Sequence, residues 1–260
     1  MRHSIRDSPK PVMSLNQILY SSEDAYGPIM VSDDGECRTL SFALNDEQSR
    51  CLKAAPHILQ YDYTQAMLMV LIFCQPKRVL ALGLGGGSLV TALYHTQPKV
   101  DITAVELRAA VIEVAKRYFY LPQGKRLTVI QQDADEYLLS DALRKQDIIF
   151  ADLYHAEGID GVQLRDDFLA RCAALLKPEG WLVLNYWYEF SDDLYLRESL
   201  HAHFADVRTV MTGSKNWVIL AGKTPVLQTA REMKDKAARL SENLGFSLAR
   251  SLARLRALGE

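Results

Sequence analysis

The sequence predicts an α/β protein: a doubly wound, mostly parallel sheet with a small β unit before it and a helical tail after it. Three observations lead there. Five short apolar runs, at residues 78–82, 101–105, 127–131, 147–150 and 181–185, alternate with helical stretches at 89–95, 109–119, 134–144 and 164–176. Short buried strands spaced by helices need a sheet covered on both faces. Two further strand candidates, 207–211 and 217–221, are so close across Thr212-Gly213-Ser214-Lys215-Asn216 that they can pair only as an antiparallel hairpin. Five parallel strands and this hairpin make a seven-stranded sheet. The third observation is a burst of glycines straight after the first run, where sheets of this kind bind ligands.

The elements follow in order. Residues 15–60 carry short β-like signals at 18–22, 28–32 and 39–43, with Asp33-Asp34-Gly35 as a turn, and predict a β unit of two or three strands. Residues 61–73 read as a helix with Ala66, Met67, Val70 and Leu71 on its apolar face, ended by Pro76. The alternating units occupy the middle of the chain. The tail, 229–258, is rich in Ala, Leu and Arg, and Gly245 divides it into two helices. The expected organisation is an arm and β unit over 1–60, a nucleoside-binding catalytic domain over 61–225 and a helical tail over 226–260.

Composition narrows the function. With 260 residues and 48% hydrophobic content the chain can fill a substantial core. Thirty basic and 32 acidic residues leave a formal charge of −2, which gives nucleic acid or an anionic membrane no electrostatic hold and favours a small-molecule partner. Cys37, Cys51, Cys74 and Cys172 are scattered and form no metal-binding spacing, so a reduced, cytoplasmic, metal-free protein is expected. The longest apolar run, 66–74, is far short of a membrane span.

The chemistry is carried by residues that follow the strands. VLALGLGGGSLVTAL puts Gly83, Gly85, Gly86 and Gly87 between a strand and a helix, where the backbone can approach a ligand and helix amides face it. Glu106 ends the second strand, 23 residues after Gly83, at the distance where an acid accepts hydrogen bonds from ribose hydroxyls. These two features fit NAD as well as an adenosyl sulfonium. The third strand then ends in QQDADEYL, placing Asp133 and Ala134 at an adenine amino group, with Asp133 equally suited to cap the next helix. The fourth ends in IIFADLYH, bringing Asp152 over the pocket. A succession of acids suits a ribose, an adenine and a cationic sulfur better than a dinucleotide, and a dehydrogenase is set aside on that ground.

A parallel sheet finished by an antiparallel hairpin is the pattern of the Rossmann-like methyltransferase fold. Within it, VLALGLGGGS, TAVEL, QQDADEYL, DIIFADLYHAEGID and LLKPEGWLVLN, together with the β unit, resemble the spermidine synthase (polyamine aminopropyltransferase) family over residues 15–225. The resemblance implies decarboxylated S-adenosylmethionine or S-adenosylmethionine (AdoMet) as cofactor, an amine acceptor, a homodimer and no metal. It makes Asp152 the catalytic acid that helps to deprotonate the attacking amine. Tyr63, Tyr154, His155, Tyr186 and Trp187 are then the acceptor-side candidates.

Several positions depart from that family's pattern. Its GGGDGG motif carries an acid where this chain has Gly86, which predicts poorer discrimination between the two cofactors. Its DSSDP motif becomes Asp152-Leu153-Tyr154-His155-Ala156, with His155 in place of the second acid. A cationic acceptor loses one counter-charge there, although an imidazole can still accept its hydrogen bond. The pair matching the family's Tyr-Gln is Tyr26-Gly27. A methyltransferase on the same scaffold and a non-catalytic nucleoside-binding relic are the competing readings.

Overall fold

The computed structural model describes residues 16–43, 46–155 and 158–259. The expected N-terminal arm through residue 15, and Ala156 of the altered family motif, lie outside these residues.

The front unit is an antiparallel sheet of four strands in sequential order: β1 (Gln17–Asp24), β2 (Gly27–Asp33), β3 (Cys37–Ala43) and β4 (Asp46–Leu52). Two or three were expected; β4 was missed because its sequence, DEQSRCL, is mostly polar and reads as loop. The inner face of this sheet packs Ile29, Val31, Leu40 and Phe42 against Val111, Val114 and Phe119 of the following unit. α1 (Asp62–Met67) and a 3-10 turn (Leu68–Ile72) then form the expected first helical stretch, and all five residues of the turn are buried.

The second sheet is built on β5 (Arg78–Leu82), α2 (Ser88–Thr96), β6 (Asp101–Glu106), α3 (Ala109–Tyr118), β7 (Leu127–Gln131), α4 (Ala134–Leu138) and β8 (Gln146–Ala151). A two-residue hairpin follows, β9 (Tyr154–His155) with β10 (Gly158–Ile159), and then α5 (Asp166–Leu175), β11 (Leu176–Trp187) and α6 (Leu194–His203). β12 (Asp206–Met211), β13 (Asn216–Gly222), α7 (Ala230–Leu244), α8 (Ala249–Arg254) and β14 (Arg256–Ala257) complete the chain. The strand order is β14-β12-β13-β11-β8-β5-β6-β7. β7, β6, β5, β8 and β11 are parallel, and the hairpin β12–β13 adds antiparallel to β11 as expected. β14 lengthens the expected seven strands to eight: Leu258 N–H donates to Val207 O as the tail returns along the edge of β12. An edge strand left open would invite pairing with another chain.

Both faces of β5 are covered. Val79 and Ala81 join one core with α2, the 3-10 turn and α7, while Leu80 and Leu82 join the other with α5 and α6. That two-sided burial is why the strand reads as unbroken apolar sequence. The expected helix 134–144 stops at Leu138, where Leu139 N–H and Ser140 N–H donate to Glu136 O and Tyr137 O in a tighter last turn. α7 ends at Gly245, dividing the tail at the expected residue. α6 was missed, since LYLRESLHAH mixes polar and apolar residues without a clear stripe. Chain direction reverses its order between β5 and β8, so the crevice of this sheet opens at Gly83 and Asp152.

Candidate active site

A cleft of about 560 Å³ lies at this crevice, lined from β4, the residue after β8, the ends of β5 to β7, and β11. One side of it is built on the glycine turn. Gly83 has φ +88°, and a Cβ there would stand 2.3 Å from Asp152 O, so no other residue lets β5 and β8 end side by side. Glu106, nearly buried, turns back under this turn: Oε2 accepts from Leu84 N–H at 3.0 Å and Gly85 N–H at 3.4 Å, and Oε1 accepts from Arg108 N–H at 3.0 Å. Burial raises its pKa and the three amides pull it back. Glu106 therefore fixes the loop and also lines the cleft.

Asp133 does what its position before a helix suggested. Its Oδ1 accepts from Asp135 N–H at 2.8 Å and Glu136 N–H at 3.0 Å, capping α4. Asp133 and Ala134 also line the cleft, so capping and ligand contact are compatible.

Asp152 forms the centre of the floor. Asn185 Nδ2 donates to its Oδ1 at 2.9 Å, and the Tyr63 hydroxyl donates to the same carboxylate. Burial pushes its pKa up to about 6, against those two hydrogen bonds, which lower it. Tyr63 is itself held well above the ordinary phenol range, by burial first and by Asp152 second. Asn185 had no motif to announce it. Alternation along β11 could have found it, because the strand puts Asn185 and Trp187 on the cleft side and Tyr186 on the other. Tyr186, expected on the acceptor side, is accordingly a core residue: fully buried, packed on Trp217 and Phe190, with its hydroxyl donating to Gln163 O at 2.6 Å.

Tyr154, His155 and Trp187 line the cleft. Tyr154 donates to Asn185 O at 3.1 Å and its ring tilts onto Trp187. His155 Nε2 meets Asp160 Oδ2 at 3.0 Å, and Asp160 also lines the cleft. Asp160, five residues on, thus brings a carboxylate to the cleft lining beside the altered position 155. Its other oxygen, Oδ1, accepts from Val162 N–H at 2.9 Å.

The chain is similar in sequence and fold to known proteins. Residues 79–180 match a methyltransferase domain family. The polyamine aminopropyltransferase of Neisseria meningitidis serogroup A is 28% identical over 247 residues, 92% of this chain and 93% of that one. A probable spermidine synthase from Corynebacterium glutamicum superposes with a TM-score of 0.73 at 17% identity, over 86% of this chain and 87% of the other. Human methyltransferase-like protein 13, solved in complex with SAH, gives 0.64 at 24% identity over 72% and 93%. This chain is a divergent spermidine-synthase-like member of the methyltransferase fold.

Against that background two expected contacts of this spermidine-synthase-like protein move. Gly83, Leu84 and Gly85 line the cleft, whereas Gly86 and Gly87 do not. Gly86 N–H donates to Ser49 Oγ at 2.9 Å, and a Cβ at 86 would come within 2.8 Å of Ser49 Cβ and 3.0 Å of the Phe119 ring. A Cβ at Gly87 would come within 2.6 Å of Leu121. Position 86 therefore faces the front β unit, and the missing acid is not an open place in the cofactor site. Tyr26 lies in the turn between β1 and β2, Gly27 opens β2, and neither lines the cleft.

Among the described residues no group of three or more His, Cys, Asp or Glu is placed to hold a metal, and no helix is long and apolar enough to cross a membrane.

Proposed function

We propose that this transferase binds decarboxylated AdoMet and moves its aminopropyl group to an amine acceptor, a step of polyamine biosynthesis. One observation carries the reading: the charge in the cleft is almost all of one sign. Asp46, Glu47, Glu106, Asp133, Asp152 and Asp160 line it, and the guanidinium at its edge, Arg108, is already committed to Asp24 at 2.9 and 3.1 Å and to Gly27 O at 2.7 Å. Such a lining favours a ligand carrying a sulfonium and a free ammonium, and an acceptor that is also a cation. Among the described residues the lining offers no uncommitted guanidinium or ammonium to the carboxylate of intact AdoMet.

The chemistry needs little besides placement. The acceptor nitrogen attacks the methylene carbon bound to sulfur; the new C–N bond forms as the C–S bond breaks, and the electron pair stays on sulfur to give methylthioadenosine. Asp152, anchored by Tyr63 and Asn185, is placed to accept a hydrogen bond from the attacking nitrogen and to offset its developing positive charge. Glu106 and Asp133 take the ribose and adenine. The same reading includes a cytoplasmic homodimer, which rests on the family resemblance alone.

Methyl transfer from intact AdoMet is the second reading, favoured by the match of residues 79–180 to a methyltransferase domain family. Mass spectrometry of the products separates the two. Incubated with each cofactor and a set of diamines, the enzyme should yield methylthioadenosine and an aminopropylated amine. S-adenosylhomocysteine with a methylated product would establish the second reading instead.

A further inference from the structure

The acceptor side holds a second potential base that Asp152 does not make redundant. Asp152 already receives Tyr63 and Asn185, and its value next to a sulfonium lies in staying an anion. A carboxylate that takes a proton during the reaction gives up that stabilisation. His155, three residues on and in the same cleft, is free of the conflict. Its Nε2 is bound by Asp160 Oδ2 at 3.0 Å, an oxygen that accepts the ring N–H and so leaves the lone pair on Nδ1. No described residue bonds to Nδ1. Asp160 is itself held: its Oδ1 caps the short 3-10 turn Gly161–Leu164 through Val162 N–H, and its own N–H donates to Leu153 O at 2.9 Å. A carboxylate fixed by its backbone surroundings and a cleft-lining imidazole bonded to it through one ring nitrogen are the parts of a general base.

We propose that His155, oriented by Asp160, takes the proton from the acceptor nitrogen, leaving Asp152 as the fixed anion beneath the sulfonium. The inference rests on the group-transfer reading of the cleft but not on which group moves. The acceptor arrives as an ammonium. His155 Nδ1 removes one proton and becomes an imidazolium paired with Asp160. The freed lone pair attacks the carbon on sulfur, the C–S electrons remain on sulfur, and the imidazolium returns its proton to water. Asp160 is a positioning residue that acts through the ring; two titratable groups with separate tasks divide work that one carboxylate cannot do alone.

The test uses the full-length enzyme, whichever group the wild type transfers, and calorimetry with methylthioadenosine or S-adenosylhomocysteine to show that the nucleoside side is intact. His155→Ala should lower kcat by about 100-fold, leave nucleoside affinity within about threefold, and recover at least about tenfold of the lost rate when free imidazole is added. Asp160→Asn should lower kcat by about tenfold with little change in the cofactor KM. If His155→Ala binds no nucleoside, His155→Gln carries the same measurement of kcat. A kcat within threefold of wild type, or a loss that imidazole does not restore, overturns the proposal and returns the proton to Asp152. Methyl transfer in place of aminopropyl transfer, with the imidazole rescue intact, would refute the proposed donor and leave His155 as the base. A wild type that transfers neither group overturns both.

Discussion

The two sides of the cleft are built differently. On the nucleoside side each acid also does structural work: Glu106 holds the glycine turn through three backbone amides and Asp133 caps α4. On the acceptor side, Asp152 is held by two side chains from elsewhere in the sequence, Tyr63 and Asn185, and His155 by Asp160. Where a ligand group is bonded mainly to backbone, the site is fixed by the fold and follows strand order. Where it is bonded to side chains, chemistry can change without disturbing the sheet. The glycine turn and strand-end acids accordingly resemble those of spermidine synthases, while residues 152–156 depart from them.

That contrast gives its strongest prediction at Asp152. Asp152→Asn should lower transfer by about 100-fold or more while nucleoside affinity changes by less than about threefold; an equal loss in both, read by steady-state kinetics and calorimetry, would abolish the distinction between the sides. Glu106→Gln should do the reverse. It places an amide group against backbone N–H donors, costs about 2 kcal/mol, weakens nucleoside binding by about 30-fold and lowers the melting temperature.

A pH series sharpens the comparison further. The Asp152 carboxyl, raised from 3.8 to about 6, is neutral below that value in the free enzyme, so kcat/KM should fall as pH drops through about 6. The stability sign is opposite. Because the native state binds the extra proton between about pH 4 and 6, stability falls as pH rises through this window and is level above it. Asp152→Asn should therefore gain about 2–3 kcal/mol relative to wild type on going from pH 4 to pH 7, measured by thermal unfolding. The smallest functional effect belongs to Gly86→Asp. Its side chain meets Ser49 and Phe119, so the variant should lose about 1–3 kcal/mol of stability and gain no preference for the decarboxylated cofactor.

Most of the fold was legible in the sequence because two-sided burial writes itself as apolar runs, and β5 and β7 begin and end at their expected residues. β4, α6 and β14 escaped because they are polar or short and are defined by partners far away in the chain. In the cleft, Glu106, Asp133 and Asp152 could be located from strand ends alone. Asn185 and Asp160 could not, since one depends on which face of β11 it occupies and the other on a turn that brings it back beside His155. Gly86 and Tyr186 were misplaced for the same reason: position along the chain says nothing of which way a residue faces.

The central claim is that this acid-lined cleft selects a nucleoside with a cationic, carboxylate-free tail. Calorimetric titration of the enzyme with AdoMet and with decarboxylated AdoMet at the same pH and salt tests it most directly. Binding of the decarboxylated form at least about tenfold tighter, a difference of about 1.4 kcal/mol, is the result predicted here. Binding of intact AdoMet alone, or of both equally, would contradict it.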